Sequence, residues 1–158
     1  MGCSIHTILQ KKDDNGDYQT IIKGFNTDQN YELFGVFSEV RQDTAPALEE
    51  PIMEYGLPRD LNITEDSGVI DGFHIDGYFM GDHSFGYVTG DRIKELYQRM
   101  DPALDDCIIV EMRSKSIFIE HAGFQDSLDR VAHEWLSAMV TLFGSDIYDY
   151  RIIVGYDS

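Results

Sequence analysis

CSIHTILQ (residues 3–10) and YQTIIKGF (residues 18–25) stand on either side of Asp13-Asp14-Asn15-Gly16-Asp17. Both flanks are rich in Ile and Thr, and Asn-Gly between two β-prone runs is a strong signal for a hairpin. The chain therefore opens with two antiparallel strands. Side chains alternate along a strand, so Cys3 and Ile5 take one face and His6 the other. The Cys3 and Ile5 side is expected to be buried, and His6 is the residue of this stretch expected to face a site.

Working outward, Thr27 or Asp28 can cap a helix running to about Arg41, with Leu33, Phe34, Phe37 and Val40 at helical spacing. Between 42 and 71 the periodicity dissolves, and three of the four prolines (Pro46, Pro51, Pro58) fall there. A segment of that length inside one domain is expected to be an ordered, functional loop. Residues 72–100 then carry five glycines and six Phe or Tyr side chains. Such a stretch suits either a wall for a flat ligand or a tightly turned hairpin, and Thr89 or Gly90 starts a helix to about Met100.

Cys107 to Met112 and Ser116 to Glu120 read as a second hairpin around Arg113-Ser114-Lys115. The longest helix runs from about Phe124 to Phe143, with Phe124, Leu128, Val131, Trp135, Met139 and Leu142 on one stripe and Gly144 as its stop. Tyr150 to Tyr156 is the last strand, apolar enough at its centre to lie inside the sheet. The expected fold class is α+β: a mostly antiparallel sheet with about three helices packed against it and a long ordered loop, residues 1–158 forming a single domain.

Charge narrows the function. Twelve Lys and Arg against 29 Asp and Glu give a net charge of −17. Direct nucleic-acid binding needs the opposite sign, because neutralising phosphates with Lys and Arg supplies most of that affinity. The acids occur as short clusters, among them Glu49-Glu50, Glu65-Asp66 and Asp105-Asp106, which suits either solubility by self-repulsion or competition for a basic partner. No run approaches the roughly 18 apolar residues of a membrane span, and no secretory signal opens the chain. Two cysteines do not make a disulfide framework, so free thiols and a cytoplasmic location are expected.

The opening Gly2-Cys3 invites double acylation, but His6 stands where the acceptor pattern wants Ser or Thr. Cys3 and His6 are also spaced like half a zinc site, which His74, Asp76, Asp82 and His83 could complete. On a strand Cys3 and His6 point to opposite faces, and neither a metal nor another cofactor is expected.

Five pieces of sequence, in order along the chain, carry a family resemblance. They are Met1-Gly2-Cys3-Ser4-Ile5-His6; Asn30-Tyr31-Glu32-Leu33-Phe34 with Val40-Arg41; Gly56-Leu57-Pro58 with Asp60; His83-Ser84 with Thr89; and Arg151-Ile152-Ile153-Val154 with Asp157. Together they resemble a family of small, uncharacterised phage and prophage proteins that open Met-Gly-Cys-Asp-Ile-His. Its further patterns are Asn-Tyr-x-Leu-Phe, Gly-Leu-Pro-x-Asp, His-Ser-x-Ser-Trp-Leu-Thr and a carboxy-terminal Arg-hydrophobic strand ending in Phe-Asp. The departures are polar: Ser4 replaces an Asp, Gly86 a Ser, Tyr87 a Trp, and Gly81 stands where the family has an acid, with Asp82 beside it. Loss of two carboxylates favours binding over catalysis.

The resemblance implies a context of host-defence evasion inside the host cell. The leading expectation is a protein that sequesters a nucleotide-derived immune signal without cleaving it. Phe79, Phe85 and Tyr87 would stack on the base, and His6, His83 and Ser84 would donate hydrogen bonds, with Asp82 beside them. Arg41 and Arg151 would pair with phosphate, for which the planar guanidinium is suited. Arg41 serves equally as a favourable charge at a helix C-terminus, and Arg151 as a strand residue paired with a neighbouring acid. The alternatives are an acidic nucleic-acid mimic that binds a basic host defence protein, or a small hydrolase using His6 or His83 with Asp82 or Asp76 orienting it. Exposed aromatics suit a homo-oligomer.

Overall fold

The first strand, β1 (Ser4–Lys12), alternates as expected: Ile5 and Leu9 are buried on one side, while His6, Ile8 and Gln10 take the other. The computed structural model describes residues 4–24, 51–61, 63–64, 74–99, 108–113, 116–121 and 128–157, with backbone alone at 63–64, 108–113, 116–121 and 128–134. The turn at 13–17 returns the chain into β2 (Tyr18–Lys23), where Asp13 Oδ1 accepts from the backbone N–H groups of Asn15 and Asp17 at 2.9 and 3.0 Å. The hairpin therefore closes through its own aspartate. A register shift between Leu9 and Gln10 leaves Ile21 out of the pairing and 44% exposed.

Later strands assemble on this hairpin. They are β3 (Glu54–Tyr55), β4 (Ile63–Thr64), β5 (His74–Ile75), β6 (Tyr78–Phe79), β7 (His83–Thr89), β8 (Ile108–Arg113), β9 (Ser116–His121) and β10 (Tyr150–Asp157). The main sheet has the order β2-β1-β10-β7-β3, every neighbour antiparallel. β10 is central, as its apolar run requires. The stretch 72–90 contains a hairpin turned at Asp76-Gly77, whose residues have φ of 50° and 79°, followed by β7, a strand that the sequence pattern did not predict. β8 pairs with β9, in the second hairpin expected from sequence.

Two α-helices are found among the described residues rather than about three: α1 (Gly90–Arg99) and α2 (Leu128–Phe143). The helix expected over 27–41 lies outside the described residues, as do Arg41, Cys3, Cys107 and most of the loop expected over 42–71. Thr89 caps α1, its Oγ1 accepting from Arg92 N at 3.3 Å, and Ile93 and Leu96 turn inward at helical spacing. Gly144, at φ 57°, ends α2 and leads into a 3₁₀ segment (Gly144–Asp149) that delivers the chain to β10. No described helix is long and apolar enough to cross a membrane.

The sheet separates two apolar clusters. On the helix side Ile5, Leu9, Ile22, Val88, Ile152, Val154 and Tyr156 pack with Trp135, Leu136, Met139 and Phe143 of α2 and with α1. On the other side Ile8 and Ile153 pack beneath Ile75 and Met80, with Leu57, Leu61, Tyr78 and Tyr87 at the margin. The β5–β6 hairpin and residues 57–61 thus cover the middle of this outer face. Polar side chains are left at its two ends.

Candidate functional site

Register places His6 and Arg151 at these ends. His6 lies opposite Gly155 and Gln10 opposite Arg151. Four residues along β10 therefore separate the two, about 13 Å at the ~3.3 Å rise of a strand, with the buried Ile8–Ile153 pair between them. One mononucleotide cannot easily engage both. The outer face has a histidine end and an arginine end.

At the histidine end, His6 Nε2 is 3.0 Å from Asp157 Oδ2. Its ring meets Phe79 edge-on at 5.2 Å, and Phe79 in turn lies 5.5 Å from the ring of the buried His74. Phe85 packs over Gly155, whose missing Cβ would sit 3.0 Å from the Phe85 ring. His6, Phe79 and His74 therefore form a chain of ring contacts, and Phe85 packs on the glycine opposite His6. His83 belongs elsewhere: it pairs in register with Tyr156 and stacks on that ring at 6.2 Å and 22°, toward the helix-side core. Its Nδ1 is 2.8 Å from Ser84 Oγ, whereas Asp82 Oδ1 lies 3.9 Å from Nε2, too far for a hydrogen bond. Ser84 has φ of 56°, a conformation uncommon outside glycine.

At the arginine end, Arg151 is only 4% exposed. Nε donates to Gln10 Oε1 at 2.7 Å, Nη1 donates to Asp60 Oδ1 at 2.8 Å, and the guanidinium carbon stands 3.8 Å above the centre of the Tyr18 ring. Nη2 is buried with no hydrogen-bond partner among the described residues. Lys12 Nζ lies 5.4 Å from the same Tyr18 ring, so two cations share one aromatic. Tyr87 completes this end; its hydrogen bond to Glu54, followed by burial, raises its pKa above the usual phenol value, while the Arg151 charge works the other way. The guanidinium beside Asp60 holds that carboxyl below its usual range.

Gln10 extends the polar system. Its Nε2 donates to Thr20 Oγ1 at 3.1 Å, and Thr20 donates to the Asp76 carboxylate in the hairpin turn. Sequence reasoning placed Arg151 beside a neighbouring acid or a phosphate but did not find Asp60, Gln10 or Tyr18. Gly56-Leu57-Pro58-x-Asp60, a motif of the sequence, is the signal that points to Asp60. A cavity of about 390 Å³ opens beside β2, lined among the described residues by Thr20, Ile21, Ile22 and Lys23, and no described site residue expected from sequence lines it.

Among the described residues no cluster of three or more His, Cys, Asp or Glu is placed to hold a metal ion. The acidic clusters Glu49-Glu50, Glu65-Asp66 and Asp105-Asp106 lie outside the described residues. No family model matches the chain, and neither a curated protein nor a solved structure matches it.

Proposed function

We propose that the chain binds a nucleotide-derived signal through its phosphate at Arg151 and holds it without cleavage, in the manner of a phage-type anti-defence protein. The observation that carries this reading is the buried Arg151 guanidinium, whose Nη2 has no partner among the described residues beside an Nη1 that has one. A buried, unsatisfied donor on a charged group is costly, on the order of 1–3 kcal/mol or more, and a two-oxygen ligand would satisfy it. Tyr18 supports the guanidinium from below, and Tyr87 is the ring of the expected stacking set that stands at this end. The net charge of −17 opposes anions at long range, so affinity must come from contacts within the site.

The test is native mass spectrometry of protein purified from a nucleotide-rich lysate, compared with the same sample after denaturation. An added mass of a few hundred daltons that leaves on unfolding, and is absent in Arg151→Lys, supports sequestration. Bare protein from both samples turns the reading toward an acidic surface that binds a basic host protein.

One observation favours a second reading, a small hydrolase. Ser84 Oγ stands 2.8 Å from His83 Nδ1 on a backbone that is itself unusual, and nucleophiles are often held on such backbone. Labelling of Ser84 by a fluorophosphonate, lost in His83→Ala, would support it; an unlabelled Ser84 would remove it.

A further inference from the structure

Taking Arg151 as the anion seat, we infer that Asp60 is an internal occupant of that seat, and that a phosphate-bearing ligand binds by displacing its carboxylate. The geometry of the pair is that of a partial fit. A guanidinium offers an oxyanion two parallel N–H donors from one edge. Here Nη1 meets Asp60 Oδ1 at 2.8 Å, but Nη2 on the same edge has no partner among the described residues. Nε is committed to Gln10 and the ring face to Tyr18. Among the described residues the Nη1–Nη2 edge is the side of Arg151 left with an unmet donor, and Asp60 half fills it.

Exposure shows which partner can move. The side chain of Arg151 is 5% exposed and that of Asp60 is 60% exposed, so of the two partners the carboxylate is the one with room to move into solvent. Residues 51–61 are fixed around it: Arg92 donates to the carbonyls of Pro51 and Ile52, Gly56 N donates to Phe85 O at 2.9 Å, and Leu57 and Leu61 pack on the outer core. With its flanks held, Asp60 can leave by rotation of its own side chain. Such a rotation needs no opening of the loop.

The exchange selects the ligand class. Each carboxylate group of a ligand would replace one single charge by another and gain little, whereas each terminal phosphate brings up to two negative charges and three acceptor oxygens to both donors. Terminal phosphates and pyrophosphates are therefore favoured over carboxylates of similar size.

Inorganic pyrophosphate is the probe, titrated calorimetrically into the wild type, Asp60→Asn and Arg151→Lys, with malonate as the carboxylate control. Removing the competing charge is expected to tighten pyrophosphate about 1.5- to fivefold, the range an exposed ion pair commands. Arg151→Lys, which cannot present a fork, is expected to lose binding, and malonate is expected not to compete. If Asp60→Asn binds no tighter than wild type while Arg151→Lys still loses binding, the displacement is wrong and the Arg151 seat stands. If pyrophosphate binds neither the wild type nor Asp60→Asn, or binds Arg151→Lys equally well, the seat itself is wrong. Competition by malonate would overturn the preference for phosphate. Should Asp60→Asn fail to fold, Asp60→Ser, which also removes the charge, takes its place: tighter pyrophosphate binding than wild type is expected, and unchanged affinity overturns the displacement.

Discussion

Thr20 donates its hydroxyl to the Asp76 carboxylate across 56 positions of sequence, and the same hydroxyl accepts from Gln10 Nε2 at 3.1 Å. This one oxygen ties the edge strand β2 to the turn of the β5–β6 hairpin and, through Gln10, to Arg151. Thr20→Val keeps the shape and removes both bonds, so it is expected to cost about 1–2 kcal/mol in urea unfolding. Thr20→Ser keeps the hydroxyl and should remain closer to wild type. Equal stability for the two variants would show that the hydroxyl contributes nothing.

Close backbone approach explains the glycines at 81 and 155. A Cβ at Gly81, where φ is 97°, would lie 2.2 Å from the Tyr156 carbonyl oxygen, and one at Gly155 would lie 1.8 Å from the Met80 carbonyl oxygen. Both obstacles are backbone and cannot turn aside. Gly81→Ala is expected to lose more than about 3 kcal/mol, because strain and clash add. Gly16→Ala, at φ 82° with nothing within 4 Å, should lose only the roughly 1–2 kcal/mol of the left-handed backbone. Thermal unfolding of the two variants side by side checks the ranking.

Acid should weaken the fold through Asp60. Its hydrogen bond to Arg151 lowers the folded-state pKa below the usual 3.8 of an aspartate, so the unfolded chain binds protons more readily. The corresponding stability is fully present above that value and is lost as pH falls through the folded pKa. Asp13, lowered chiefly by the backbone N–H of Asp17, adds to the same acid limb. Asp60→Asn is expected to be less stable than wild type above about pH 4 and to approach it below, as urea titrations at several pH values would show. A constant difference across that range would remove the ion pair as the cause.

The parts of the fold that were legible share one property: their signal is local. Asn15-Gly16 marks the β1–β2 hairpin, Thr89 caps α1, and the apolar run of 150–156 identifies the central strand. β7 was missed because Gly86 interrupts its alternation and Ser84 adopts a turn-like φ, although β10 pairs with five of its seven residues. β3, β5 and β6 are two residues each, too short for any period to register. The face of His6 was legible by alternation alone. That Arg151 meets Asp60 was not, because the pair spans 91 positions and depends on how residues 51–61 cross the sheet. The separation of His6 from Arg151, and of both from His83, likewise follows from register and not from composition.

The sole tryptophan can report which side of the sheet binds ligand. Trp135 is 4% exposed in the helix-side core, with Tyr156 in the same cluster, whereas Arg151 and Asp60 meet on the other face. A ligand seated at Arg151 should therefore leave the Trp135 emission maximum where it is while perturbing the near-ultraviolet signal of Tyr18. Unfolding, by contrast, exposes Trp135 and shifts its emission to the red. His83 stacks on Tyr156, so a ligand bound there would act on the helix-side core and shift Trp135 emission without unfolding. Titration with pyrophosphate, followed at both wavelengths, separates the two sites: a tyrosine change alone assigns the ligand to Arg151, and a tryptophan shift in the folded protein assigns it to His83 and Ser84.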